Sequence, residues 1–347
     1  MLIRCSHTSQ FGTEYSPYLW PVAAVWAFDR ALRLVRLGYC NLHVRLSGKV
    51  LTTSSTATYD KDNNVIKIDV CPGSTILKPA PGQYYHIYQP FSLRGWENHP
   101  FTLGSFKTPT SATVESSVIE NDIEKGTTVV NTRPASTESS SEATVLTFWV
   151  RPFDGWTKRL RDQCLKSGGT THPRLLIEGP YGRGSALHKY DRVVMIAGGT
   201  GISASIPYIA EHGQIAARGA CKTTNMQLHW ATRQSSFLRQ LAQEELSEAL
   251  QWPEFEGFFY NTAVASAEVD EKPESLSEKP EITVQYRVPD IHAIVSDAAE
   301  KAMAGKESVV VHVCGPPSMA DEARAAVHAA LKKGCSRIEY VEDAFAW

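Results

Sequence analysis

The sequence predicts an all-β domain followed by a doubly wound α/β domain. Residues 42–106 contain short runs in which apolar and polar side chains alternate, as in Val65-Ile66-Lys67-Ile68-Asp69-Val70, which is typical of antiparallel strands. After Tyr190 the pattern changes, and short apolar runs alternate with longer helical stretches. This alternation favours a parallel sheet covered by helices.

Length and composition agree with two globular domains. The chain has 347 residues, of which 42% are hydrophobic and 21% charged, so it can bury a sizeable core. A net charge of −2 argues against nucleic-acid binding, which requires a basic excess. The seven cysteines are an odd number without paired short spacing, which favours reduced thiols over disulfides or a metal site.

The first domain is expected over residues 42–188. Further strands are predicted at Tyr84–Tyr88, Val145–Val150 and Arg174–Glu178, with a short helix near residues 157–165. Residues 107–144 are rich in Ser, Thr and Glu and nearly free of aromatic side chains, so they are expected to form a disordered insert.

The second domain is expected over residues 189–347, with a second polar insert at residues 265–280. Its predicted strands are Val193–Ala197, Met226–Ala231 and Val309–Cys314. Its predicted helices cover residues 202–215, 235–250, 291–304 and 318–333.

Residues 1–41 precede both domains. The apolar stretch Tyr18–Phe28 has eleven residues, whereas a spanning helix needs about 20, so this stretch alone is not expected to cross a membrane. Arg30, Arg33 and Arg36 follow it at helical spacing. This pattern fits an amphipathic helix on an anionic membrane surface, and equally a helix packed on its own domain.

A glycine-rich loop follows the first predicted strand of the second domain. In Gly198-Gly199-Thr200-Gly201-Ile202-Ser203-Ala204, the residues Gly199, Gly201 and Ala204 have the spacing of a dinucleotide-binding loop. Glycines let the backbone approach a pyrophosphate, whose charge then lies at a helix N-terminus. The spacing alone also occurs in structural turns, but the strand before it and the helix after it favour nucleotide binding.

The next predicted strand ends in Thr232-Arg233. An NAD-selective site usually has an acidic residue here to hold the ribose hydroxyls. A guanidinium at this position would instead bind a 2′-phosphate through charge-assisted hydrogen bonds, which favours NADPH over NADH. Considered without the glycine loop, Arg233 would be an ordinary solvated surface charge.

Several motifs together resemble the flavin- and NADPH-binding region of ferric reductases and NADPH oxidases. They occur in the family's order and leave only the two inserts uncovered. They are Pro81-Gly82-Gln83-Tyr84, His99-Pro100-Phe101-Thr102-Leu103, Gly179-Pro180-Tyr181-Gly182, the glycine loop, Trp230–Arg233, Cys314-Gly315-Pro316-Pro317-Ser318-Met319 and the C-terminal Phe345-Ala346-Trp347.

The resemblance implies a two-domain fold of the ferredoxin–NADP reductase type, in which an antiparallel β-barrel binds FAD and a Rossmann-like α/β domain binds NADPH. It also implies roles for individual residues. The flavin would contact His99, Pro100, Phe101 and Thr102, with Thr102 near flavin N5, while Trp347, or Phe345 in its place, would stack over the ring. The FAD pyrophosphate would lie at Gly155 and Thr157, and the nicotinamide nucleotide at Gly179, Gly182, Gly198, Gly199, Thr200, Gly201, Arg233, Cys314, Gly315 and Pro316.

The implied reaction is hydride transfer from NADPH to FAD, followed by single-electron transfer to ferric chelates directly or through a haem partner. The alternatives left open are superoxide production of the NADPH oxidase type and a non-catalytic, nucleotide-responsive module. Complete relatives carry a haem-binding membrane domain upstream, which is not recognisable here. The chain is therefore expected to be a fragment or a soluble remnant, acting at the cytosolic face of a membrane or in the cytosol.

Overall fold

The computed structural model describes residues 16–44, 50–75, 77–89, 98–108, 144–263 and 282–343. The helices are α1 (Ser16–Asn41), α2 (Gly155–Lys166), α3 (Ile202–Ala217), α4 (Ser235–Glu244), α5 (Ile291–Gly305) and α6 (Pro317–Lys332). Short 3₁₀ helices lie at Leu187–Lys189, Gly199–Gly201 and Ala249–Gln251. The strands are β1 (Leu42–Val44), β2 (Val50–Thr52), β3 (Ser54–Asp60), β4 (Val65–Cys71), β5 (Tyr84–Tyr88), β6 (Asn98–Thr102), β7 (Ser105–Lys107), β8 (Val145–Val150), β9 (Thr170–Thr171), β10 (Leu176–Tyr181), β11 (Arg192–Gly198), β12 (Asn225–Thr232), β13 (Phe255–Asn261), β14 (Val284–Gln285), β15 (Val309–Cys314) and β16 (Ile338–Glu342).

The N-terminal half is an antiparallel unit in which two sheets share one core. Within the described ranges these two sheets have the orders β7-β8-β4-β3-β9 and β10-β5-β6, and β1 and β2 form a separate two-stranded sheet. Ile66 and Ile68 on β4 and Ile87 on β5 are fully buried in the common core, and α2 adds Trp156 and Leu160 to it. Alternation along each strand directs these apolar side chains inward, so the predicted antiparallel domain is confirmed.

The C-terminal half is built on a parallel sheet, whose order in the described residues is β14-β13-β12-β11-β15-β16. The side chains of β11 alternate between its two faces. Val193 and Met195 pack in one core with α3 and α4, whereas Val194 and Ile196 pack in another with α5 and α6. Helices therefore cover both faces, which confirms the predicted doubly wound domain.

Helix α1 precedes the antiparallel unit in the chain and contains Pro21. Its last turn is held on β10, because the Asn41 side chain donates to the Ile177 carbonyl at 2.6 Å and accepts from the Ile177 amide at 2.9 Å. Cys40 donates to the Gly179 carbonyl in the same way. Packing on its own domain thus explains the position of the last turn of α1. The residues before Arg36, in contrast, expose many apolar side chains. Among the helices within the described ranges, none combines the length and apolarity that crossing a membrane requires.

The structure differs from the sequence prediction in a few elements. The helix expected over residues 235–250 ends at Glu244, because the amides of Glu245 and Leu246 both donate to the Leu241 carbonyl and turn Leu246 into the core. Four strands were not predicted, namely β9, β13, β14 and β16. Lys107, expected to begin the first insert, ends β7 and pairs with Val145. Residues 108 and 144, also expected in that insert, are described too, whereas the rest of it, residues 109–143, and the whole second insert, residues 265–280, lie outside the described residues.

Candidate functional site

The glycine loop connects β11 to α3 through the 3₁₀ turn Gly199–Gly201 and is pressed against the end of β15. A Cβ on Gly201 would lie 2.2 Å from the Cys314 carbonyl oxygen, and one on Gly198 would lie 2.6 Å from Cδ of Pro316. These contacts arise because β11 and β15 are adjacent parallel strands whose carboxyl ends are in register, Ala197 opposite Cys314. The structure therefore brings together two motifs that are far apart in sequence.

At Gly199 the backbone conformation, and not crowding, favours glycine. Its φ is +57°, in the left-handed region, and a Cβ there would meet no atom within 4 Å. The buried indole of Trp230 donates a hydrogen bond of 2.9 Å to the Gly199 carbonyl and holds the loop in place. The loop thus combines a fixed backbone with open space on its outer side, as close approach of a phosphate requires.

A cleft of about 230 Å³ lies between the two units. Its lining from the antiparallel unit is Pro100, Phe101, Thr102, Trp149, Val150 and Arg151, and its lining from the glycine loop and α3 is Thr200 and Ser203. Residues expected to contact a flavin and a residue expected to contact a nicotinamide nucleotide therefore share one cleft. His99, on the same strand, is exposed and does not line it.

Ser203 is the cleft residue with an unsatisfied polar group. Its side chain is 2% exposed, and its hydroxyl has no hydrogen-bond partner in the part of the chain that the structure describes. A buried hydroxyl without a partner costs about 1–3 kcal/mol, so a polar ligand atom in the cleft would recover that energy.

The cleft is closed on one side by contacts between the two units. Arg151 donates to the Gln234 side chain at 2.9 Å, and Asn63 and Ser236 are hydrogen bonded to each other. Val65 and Trp149 pack into the core of the parallel unit. Arg151, Gln234, Trp149 and Ser203 were not singled out from the sequence. Only Ser203 carried a signal, its place within the glycine motif between Gly201 and Ala204.

The end of β12 presents Arg233 to solvent. The preceding residue, Thr232, is buried and donates to the Gln234 side chain at 3.0 Å. In the described ranges no ion pair or hydrogen bond engages the Arg233 guanidinium. Its side chain is therefore free to bind an anionic ligand at the carboxyl edge of the sheet, where ligands of such sheets collect.

Cys314 ends β15 directly beneath the loop and is 1% exposed. Burial raises the pKa of its thiol strongly, and the Asp343 and Glu342 carboxylates raise it further. The thiol is therefore protonated at neutral pH and is not a nucleophile. Gly315 and Pro316 continue from it towards α6, and Gly315 packs against Gly198.

Helix α2 begins beside β6. Gly155 has a φ of +64°, and the Trp156 indole lies 5.6 Å from the Phe101 ring. The Thr157 hydroxyl is occupied locally, since it donates to the Asp154 carbonyl and accepts from the Phe153 amide. Any ligand at this helix end would meet backbone amides rather than the Thr157 hydroxyl.

The remaining predicted residues lie elsewhere. Gly179, with Pro180, lines a second cavity of about 510 Å³ that α1 covers with Leu32, Val35, Arg36 and Tyr39. A Cβ on Gly182 would lie 2.6 Å from the Gly82 carbonyl oxygen, and Gly82 itself meets the Tyr208 hydroxyl on α3. Gly182 is thus at the boundary between the units, whereas Gly179 faces α1. Phe345 and Trp347 lie outside the described residues.

Comparison with known proteins finds a family model that matches most of the second unit. Residues 190–328 match the family described as ferric reductase NAD binding domain. Among curated proteins, ferric reductase transmembrane component 5 of Saccharomyces cerevisiae is 24% identical over 350 residues, covering 96% of this chain and 42% of that protein. Component 4 of the same yeast is 26% identical over 376 residues, covering 96% of this chain and 45% of that protein. The chain thus spans less than half the length of these relatives.

Two solved structures match this chain over most of its length at low identity. The CS-b5R domains of human Ncb5or share 15% identity with a TM-score of 0.48, covering 85% of this chain and 71% of that one. The Amycolatopsis cytochrome P450 reductase GcoB shares 18% identity with a TM-score of 0.46, covering 86% of this chain and 73% of that one.

Proposed function

We propose that this chain, whose residues 190–328 match the family described as ferric reductase NAD binding domain, is an NADPH-dependent flavoprotein reductase of the ferric-chelate reductase type. The observation that supports the proposal most directly is one shared cleft, lined by Pro100, Phe101 and Thr102 from the antiparallel unit and by Thr200 and Ser203 from the parallel unit. Hydride transfer between two cofactors needs their reactive atoms to come within about 3–3.5 Å, and a shared cleft between two units is the arrangement that achieves this.

The residues of the cleft suit a flavin on one wall and a nicotinamide on the other. The lining from the antiparallel unit is largely apolar and aromatic, as an isoalloxazine ring requires, and the unpaired Ser203 hydroxyl offers a hydrogen bond to a polar ring. The Gly199 backbone is open to a pyrophosphate. When bound, the flavin supplies the chemistry, because it accepts two electrons as hydride and releases them singly.

The proposed roles of the chain's own residues are to bind and to orient. Thr102 would hydrogen bond near flavin N5, with Pro100, Phe101 and the exposed His99 beside the ring and its ribityl chain. Gly155 and Thr157 would offer backbone amides to the FAD pyrophosphate. The protonated Cys314 thiol, with Gly315, Pro316 and Gly182, would position the nicotinamide without covalent chemistry. Gly179, which faces α1, would act only indirectly, and Trp347 would shield the flavin.

NADPH is proposed over NADH because of Arg233. Its guanidinium is exposed, without a protein partner in the described ranges, and lies at the carboxyl end of β12, where an acidic residue would select NADH. A 2′-phosphate would accept charge-assisted hydrogen bonds from it.

The proposed location is the cytosolic face of a membrane, with electrons passed to ferric chelates directly or through a haem domain. Support comes from α1, which exposes Trp20, Trp26 and Phe28 beside Arg30 and Arg33, the combination that favours an anionic membrane surface. Further support comes from the yeast relatives, which are named as transmembrane components of ferric reductases.

The decisive experiment is to reconstitute the purified chain with FAD and to mix it with NADPH without oxygen. Loss of the oxidised-flavin absorbance followed by reduction of a ferric chelate is the expected result. A chain that binds no FAD, or whose bound flavin NADPH leaves oxidised, would contradict the proposal. In a second reaction run in air, superoxide formation without chelate reduction would instead favour an oxidase.

The nucleotide preference has its own test. Arg233→Ala should weaken NADPH binding by about 10- to 100-fold, because a hydrogen bond to a charged group contributes about 1.5–3 kcal/mol, and should leave NADH binding nearly unchanged. Arg239→Ala, which removes another exposed charge, on α4, is the matched control and should change neither. Equal losses for both nucleotides would reject the 2′-phosphate role.

A further inference from the structure

A thiol, an imidazole and a carboxylate lie in line on the parallel unit, away from the cleft. The Cys221 sulfur is 3.3 Å from Nδ1 of His212, and Nε2 of the same ring is 3.4 Å from a Glu254 carboxylate oxygen. The two partners lie on opposite ring nitrogens, so the group cannot converge on one metal ion. It has instead the order of nucleophile, base and orienting acid that activates a nucleophile.

This cluster is on the far side of the domain from the glycine loop. His212 is ten residues into α3, which at 1.5 Å per residue is about 15 Å along the helix. Cys221 lies in the connection that leads into β12, and Glu254 immediately precedes β13, so both are at the amino edge of the sheet. The cofactor site proposed above occupies the carboxyl edge. The cluster is therefore spatially separate from the proposed cofactor site.

The imidazole is held in position by its surroundings. His212 is 2% exposed, and the Trp252 ring packs against it with centroids 5.7 Å apart. Gly213 allows this packing, because a Cβ there would lie 2.6 Å from the Trp252 ring. A carboxylate at Nε2 keeps the ring proton on that nitrogen, which leaves Nδ1 as an acceptor directed at the thiol.

The thiol is more accessible than its base. Cys221 is half-buried, and its nearest alternative acceptor, the His188 carbonyl, is 3.9 Å away, farther than the imidazole. Two charged groups near the cluster are paired or partly buried. Lys222 pairs with Asp191 at 2.8 Å, and partial burial raises the pKa of Glu211 despite the nearby His188. The proton of the thiol therefore has one well-placed acceptor, Nδ1 of His212.

We propose that Cys221 is a modification site, a nucleophilic thiol that reacts with small electrophiles and, among oxidants, with hydroperoxides. In that reaction the sulfur forms a bond to the terminal oxygen as the O–O bond breaks. The sulfur is oxidised by two electrons to a sulfenic acid, and the peroxide is reduced to water or an alcohol. His212 takes the thiol proton and returns it to the leaving oxygen, with Glu254 as a positioning residue.

Iodoacetamide is the probe of nucleophilicity, because its carbon binds sulfur as iodide leaves. The full chain is treated with a limiting amount near pH 7, and its peptides are quantified by mass spectrometry. Cys71 is the internal control, since it is also half-buried, and no described histidine is hydrogen bonded to it. A reference thiol is about 3% ionised at pH 7, so activation can raise the alkylation rate by at most about thirtyfold. We expect Cys221 to be alkylated about tenfold faster than Cys71. Equal rates would overturn the proposal.

The role of the imidazole is tested with His212→Gln, whose amide keeps a hydrogen bond but does not take up a proton. At pH 7 alkylation of Cys221 should fall to the Cys71 rate, and near pH 9.5, where reference thiols are mostly ionised, it should recover. A rate unchanged at pH 7, or low at both pH values, would show that His212 does not act on the proton. Glu254→Gln, at a partly exposed side chain, should lower the alkylation rate of Cys221 at pH 7 by less than His212→Gln does, with the same recovery near pH 9.5. This variant keeps the test valid if His212→Gln misfolds.

The oxidation is tested with hydrogen peroxide followed by dimedone, which labels sulfenic acids. The label should appear on Cys221 of the natural chain and be lost from Cys221→Ser. Its yield should be reduced in His212→Gln. Labelling of Cys71 to the same extent as Cys221 would contradict the assignment.

Discussion

Replacing Gly201 by alanine tests whether the glycine loop and the end of β15 form one fitted surface. The new Cβ would lie 2.2 Å from the Cys314 carbonyl oxygen and 2.8 Å from its carbon, whereas ordinary contacts begin at 3.4 Å. Both obstructing atoms are backbone, so no side-chain rotation relieves the overlap. The start of α3 and the end of β15 would have to separate by about 1.2 Å, the difference between 3.4 Å and 2.2 Å.

Overpacking of this size costs about 2–3 kcal/mol, which corresponds to a fall in Tm of about 5–10 °C for a domain of this length. Gly199→Ala is the matched control in the same loop. A Cβ there meets nothing within 4 Å, and the cost is only the strain of a left-handed alanine, about 1–2 kcal/mol or a few degrees. We therefore expect Gly201→Ala to be the more destabilising of the two.

The assays are thermal unfolding by calorimetry and NADPH binding by titration. Gly201→Ala should lower Tm more than Gly199→Ala and should also weaken NADPH, because the displaced loop no longer presents its amides correctly. A Tm for Gly201→Ala within about 2 °C of the natural chain, or a larger loss for Gly199→Ala, would refute the close contact with β15.

Two further predictions concern stability. Burial lowers the pKa of His229 to about 4, from 6.5 in the unfolded chain, so the unfolded state binds the extra proton and stability is lost as pH falls from about 6.5 towards 4. In urea unfolding, the free energy of unfolding of the natural chain should fall by about 2 kcal/mol more between pH 7 and pH 5 than that of His229→Gln. Equal falls would reject a neutral buried imidazole. Asn41→Ala should lower the free energy of unfolding by about 3 kcal/mol in the same assay, because it leaves the Ile177 amide and carbonyl unpaired. Arg36→Ala removes an exposed hydrogen bond to the Pro180 carbonyl and a cation–π contact with the Tyr181 ring, and it should cost only about 1 kcal/mol. Similar costs for the two variants would contradict the anchoring of α1 through Asn41.

Local pattern was sufficient for most of the fold. The strands Tyr84–Tyr88, Val145–Val150 and Val309–Cys314 were predicted to the residue, because each is a short apolar run with side chains directed by the strand's own alternation. The glycine loop was recognisable for a related reason, since its strand, its turn and its helix are contiguous in the chain.

The sequence by itself therefore determined the two domain types, their order and the candidate nucleotide loop. Only the tertiary structure decided which residues meet: Gly201 with Cys314, Asn41 with Ile177, Thr200 and Ser203 with Pro100–Thr102, and Cys221 with His212 and Glu254. The physical reason is that sequence patterns report on neighbours along the chain, whereas a site joins residues that are far apart in the chain. Periodicity records the direction in which each side chain faces along one element, whereas a site needs distances between elements, which are set when separate sheets and helices bury their apolar faces against one another.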